Sequence, residues 1–87
     1  MLDILVNVLG WQMVSQALRN REKAKRFSIA NPALVGRHCL ILSNTWKLGK
    51  AKEYLDSLDV DLRNCLICNL VGNISADVIR EYGLQNV

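Results

Sequence analysis

The sequence predicts an α/β fold, a small three-layer-like βαβαβα unit with a short parallel sheet, and three observations point there. Continuous apolar runs recur at residues 4–9, 39–42 and 65–71. Each is closed by a turn signal: Gly10, the Ser43-Asn44 pair and the Gly72-Asn73 pair. A segment with helical spacing follows each closer. Runs this short, without polar alternation, fit strands buried on both faces of a parallel sheet. A repeated strand–turn–helix unit is what right-handed βαβ crossovers require.

Taken in order, the first run leads into a helix over 11–26, with Trp11, Val14 and Leu18 on one stripe. Residues 27–37 form a connection in which Asn31-Pro32 breaks the chain and Gly36 ends a loop or short helical turn. The second run precedes a helix over 45–58, striped by Leu48, Ala51, Leu55 and Leu58. Its opening Cys39-Leu40-Ile41 is repeated as Cys65-Leu66-Ile67 at the head of the third run. That run leads to a helix over 74–82, with Ser75 as N-cap and Gly83 at C′. Residues 85–87 are left to start or edge another strand. The rival architecture is an all-α bundle of four to five helices. It rests on Asn31-Pro32 as a helix start, since proline at the first helical position loses no needed hydrogen bond. Val35, Cys39, Leu42 and Trp46 then share one helical face.

The chain has 87 residues, 51% apolar and 22% charged, with a mean hydropathy of +0.11. It is read as one domain, 1–87. A domain of this size buries only about 60% of its unfolded surface, so the high apolar content points to self-association. No run reaches the roughly 18–20 apolar residues of a membrane span, because Asp3, Asn7, Gly10 and Gln12 interrupt the first stretch. No basic region precedes that stretch, so a secretory leader is not expected and the cytoplasm is the expected location.

Net charge is +3, but it is unevenly laid out. Residues 19–52 carry nine bases against one acid, and residues 53–87 carry six acids against two bases. The densest cluster is Arg19, Arg21, Lys23, Lys25 and Arg26. It reads either as a solvated helix end or as a patch for an anion or nucleic acid. The three cysteines, Cys39, Cys65 and Cys68, sit inside apolar runs, where a thiol behaves as a small hydrophobe. Cys65 and Cys68 form a C-x-x-C, yet apolar neighbours favour burial over redox or metal use.

In a parallel sheet, ligands bind beyond the carboxyl ends of the strands. The candidate ligand residues are therefore Trp11, Gln12, Asn44, Thr45, Trp46, Lys47, Lys50 and Asn73. The tryptophans offer stacking faces and the lysines meet phosphate. No carboxylate occupies these turns, which disfavours Mg²⁺-dependent phosphoryl transfer. His38 is the single histidine and is read as structural, so no catalytic constellation is complete. The stretch from Gly36 through His38, Cys39 and Ser43-Asn44 to Gly49-Lys50 resembles the nucleotide-binding strand–turn of folate-linked dehydrogenases. The stretch from Val71-Gly72-Asn73 to Gly83 is similar in kind. The glycine fingerprint is missing, and no family membership follows.

Two functions result, beside a third reading as a small α/β enzyme whose site a partner subunit completes. The first is a small non-enzymatic interaction module that self-associates as a homo-oligomer. The alternative is an anion-binding module for nucleotide or nucleic acid, using the basic 19–52 segment and both tryptophans. Neither requires a metal, a cofactor or a catalytic residue. On the sheet reading, Ile41→Asn buries an unsatisfied amide and unfolds the domain.

Overall fold

Glycines and asparagines set where this chain turns. The computed structural model describes residues 2–72 and 80–81. Six helices occupy them: α1 (Leu2–Leu9), α2 (Trp11–Arg19), α3 (Arg21–Ala30), α4 (Pro32–Lys47), α5 (Ala51–Asp56) and α6 (Val60–Val71). Gly10 separates α1 from α2 at φ 90°, ψ 151°, a conformation open essentially to glycine alone. Gly49 ends α4 at φ 74°. Its N–H donates to the Trp46 carbonyl at 3.1 Å, and the Lys50 N–H donates to the Thr45 carbonyl at 2.7 Å. This pair of bonds is a Schellman motif, which satisfies carbonyls the helix end would otherwise leave open.

Two further breaks, at residues 20 and 31, use asparagine. The Asn20 amide Nδ2 donates to the Gln16 carbonyl at 3.2 Å, and Asn31 Nδ2 donates to the Phe27 carbonyl at 3.1 Å. In each case the backbone N–H binds that same carbonyl. A short amide side chain competes for helical partners in this way and favours helix ends over interiors. Pro32 then opens α4 at a position where its missing N–H costs nothing.

The core is built around α6, which packs against α2, α3 and α4. Leu66, Ile67 and Cys65 of α6 are fully buried beside Val14 and Ala17 of α2, Leu42 of α4 and Leu55 of α5. From α1, Leu2, Leu5 and Leu9 join the same cluster. Across its outside, Cys68 Sγ donates to the Ala17 carbonyl at 3.2 Å, tying α6 to α2.

The predicted α/β fold with its parallel sheet is overturned, since the described residues contain no strand. The helical alternative is the correct class; six helices lie within residues 2–71 and the described residues 80–81 are helical too, against the four to five helices expected. Residues 39–42 show the error. Leu42 is 2% exposed while Leu40 is 72% and Ile41 40% exposed, so the run is buried on one helical face and not on two strand faces. Ser43 and Asn44 lie inside α4, and the expected connection over 27–37 is helical except at Asn31. The expected helices over 11–26 and 45–58 are each interrupted, at Asn20 and over residues 48–50. Residues 65–71 misled for another reason. A helix surrounded by partners is apolar all round, and periodicity cannot tell a short stretch of one from a buried strand. The Ser75 cap, Gly83 and the strand expected at 85–87 lie outside the described residues, as does most of the helix expected over 74–82.

No helix among the described residues is long and apolar enough to cross a membrane.

Candidate functional site

Helical spacing on α3 puts Arg21, Lys25 and Ser28 in one row, and spacing on α6 puts Cys65, Cys68 and Asn69 in another. The two rows face each other across a groove of about 400 Å³. The Ser28 hydroxyl hydrogen-bonds the Cys65 thiol, and Asn69 Nδ2 donates to the same sulfur at 3.6 Å. Burial pushes the Cys65 thiol above its ordinary range, outweighing those hydrogen bonds, and Cys39 adds to the rise. Cys68 is pushed up from 9.0 to about 11, first by burial and then by Cys65, with Arg21 acting weakly the other way. Burial also raises Cys39. All three cysteines are free and are held as thiols, whereas a redox dithiol needs a stabilised thiolate.

The basic cluster therefore divides. Arg21 and Lys25 line the groove, while Arg19 and Arg26 are exposed. Lys23 pairs with Asp61 at 3.0 Å, joining α3 to the start of α6. Lys23 is largely exposed and Asp61 partly so, so this bridge contributes at most about 1 kcal/mol.

The residues assigned to a common ligand rim are dispersed, because the sheet that would have gathered them does not form. Trp11 and Gln12 line a shallow cleft of about 360 Å³ along α2, together with Arg19. Trp46 lines a different cleft of about 450 Å³, with Ile4 and Leu5 of α1 and Leu70 of α6. Asn44 and Lys47 are exposed near the end of α4, and Lys50 is exposed just beyond it. Cations there complement the negative pole of the helix. The Thr45 hydroxyl donates to the Leu42 carbonyl at 2.8 Å. Asn73 lies outside the described residues.

His38 binds α4 to α5: its Nδ1 lies 2.5 Å from the Tyr54 hydroxyl. The phenol is raised above its ordinary range by burial and, secondarily, by Cys39. This contact fits the structural role expected of His38. Among the described residues no cluster of three or more His, Cys, Asp or Glu is placed to hold a metal.

Sequence reasoning missed a further feature on α1. The helix buries Leu2, Leu5 and Leu9, yet it leaves Ile4, 59% exposed, and Val8, 42% exposed, uncovered alongside the exposed Asp3 and Asn7. Trp11, at the start of α2, is 40% exposed. The signal was available: residues 4 and 8 are one turn apart on a helix whose only polar residues are Asp3 and Asn7. It was hidden by reading the run as a strand.

No protein-family model, curated protein or solved structure matches the chain.

Proposed function

We infer that this chain is a small self-associating module whose joint is the outer face of α1, paired with the same face of a second copy. The observation that carries this reading is that Ile4 and Val8 stand exposed one turn apart on α1, on the side the fold leaves uncovered, which they share with Asp3 and Asn7. A two-fold pair places like surface on like surface, and α1 carries just one charge, Asp3, to oppose it. The cleft formed by Ile4, Leu5, Trp46 and Leu70 adjoins this face and gives a partner's side chain somewhere to seat.

The exposed fractions of Ile4 and Val8, 59% and 42%, together equal about one fully buried aliphatic side chain per copy. At about 1.5–3 kcal/mol for such a side chain, a pair of copies gains about 3–6 kcal/mol from these residues. Trp11 adds to this, and association costs offset much of it. The result is a weak, concentration-dependent pair. In the reducing cytoplasm the three thiols play no covalent part in it.

Sedimentation equilibrium from micromolar to millimolar concentration tests this reading, in reductant. Wild type should show rising average mass, and Ile4→Asp/Val8→Asp should remain a monomer. Leu48→Asp, at an exposed apolar site just beyond the end of α4, should still associate. A wild-type chain that stays monomeric throughout removes the proposal.

A further inference from the structure

We propose that the groove between α3 and α6 is a binding site for a small organic phosphate monoester. It is a separate surface from the α1 face and does not depend on self-association. Three observations meet there. The first is size: about 400 Å³ lies at the lower end of the range for small-molecule sites, roughly 300–1,000 Å³. The second is charge. Arg21 and Lys25 stand one helical turn apart on the same wall, an arrangement of like charges that costs energy in an isolated helix. A phosphate dianion there meets the Lys25 ammonium. The third is the donor set. The Ser28 hydroxyl and the Asn69 amide extend the polar lining beyond Lys25, and no acidic residue lines the groove among the described residues. Apolar surface from Ala24 and Ile29 remains for the organic part of the ligand.

The chemistry follows from these groups. Lys25 supplies a mobile point charge and Arg21 adds its positive field. Charge-assisted hydrogen bonds to phosphate oxygens are the strong ones. The Cys65 and Cys68 thiols are protonated neighbours, so they do not repel an anion as thiolates would.

The test is a titration of the full chain with phenyl phosphate, followed by backbone amide NMR. Phenol and inorganic phosphate run alongside to separate the body from the charge. Saturable shifts are expected at Lys25, Ser28 and Asn69. Bound phenyl phosphate should also slow alkylation of Cys68 by N-ethylmaleimide. Lys25→Gln should weaken binding by about tenfold or more, whereas Lys47→Gln should leave it unchanged. Shifts of equal size around Lys47 and Lys50 would mean diffuse attraction to a basic surface and would overturn the site. Unaltered affinity in Lys25→Gln would do the same. So would tighter groove binding by a single-stranded oligonucleotide than by the monoester, because the ligand would then be a polymer. Lys25 is exposed, and a wild-type circular dichroism spectrum for the variant confirms that any loss is local.

Discussion

Leu40→Asn and Leu42→Asn should have very different consequences, and the difference can be worked out from burial. Leu40 is 72% exposed and Leu42 is 2% exposed. A fully buried leucine contributes about 1.5–3 kcal/mol, so the covered part of Leu40 accounts for about 0.4–0.8 kcal/mol. The lower helix propensity of asparagine adds roughly 0.5 kcal/mol, for a total near 1 kcal/mol. At position 42 the full burial term is lost, and an amide is trapped without a partner at a further cost of about 1–3 kcal/mol. With the propensity term, Leu42→Asn costs about 3–6 kcal/mol, a large share of the roughly 4–13 kcal/mol expected for a domain of this length. Thermal unfolding followed by circular dichroism at 222 nm measures both. Leu40→Asn should lower Tm by about 4–8 °C, and Leu42→Asn by well over 12 °C or to the point of unfolding. In a strand, residues 40 and 42 point to the same side, so equal losses would refute the helical assignment of this segment. A greater loss for Leu40→Asn would refute it too.

The remaining predictions use the same logic. Gly36 is exposed within α4, and a Cβ added there meets nothing within 4 Å; Gly36→Ala should stabilise by roughly 0.5–1 kcal/mol in thermal unfolding. Gly10→Ala has equal space but the wrong backbone angle, and should destabilise by about 1–3 kcal/mol. Ile41→Asn, expected to unfold a sheet, should cost only about 1.5–2.5 kcal/mol at a site 40% exposed. Stability should also fall at alkaline pH. The Cys68 thiol holds its proton more tightly when folded, being raised from 9.0 to about 11 by burial and by Cys65. The stability tied to it is complete below about pH 9 and is lost as pH climbs towards 11. Cys39, Cys65 and Tyr54 shift in the same direction. A Tm that rises between pH 9 and 11 would contradict this, and Cys68→Ala should flatten the decline.

Much of the local grammar was legible in the residues. Gly10 closes the first run, Asn31-Pro32 starts a helix, and Val35, Cys39, Leu42 and Trp46 do turn one face of α4 inwards. The burial of Cys65 was legible too. The fold class was not, because residues 65–71 are apolar for a tertiary reason: α6 is enclosed by three helices. Composition within seven residues carries no record of how many neighbours a helix will have. Asn20 is a harder case. Nothing around it marks a helix end, and its effect depends on a side-chain bond to Gln16 that competes with helical continuation. For the groove, Arg21 and Lys25 were singled out, but Ser28 and Asn69 were not. Asn69 reaches the groove through packing between segments far apart in the chain, which charge patterning does not report.

Equal portions of ¹³C-labelled and unlabelled chain, mixed at millimolar concentration, allow isotope-filtered NOEs to report only contacts between copies. The self-association account predicts cross-peaks linking the Ile4 and Val8 methyls of one copy to the α1 face of the other. Contacts confined to another surface, or none at a concentration where wild type sediments as a pair, would contradict it.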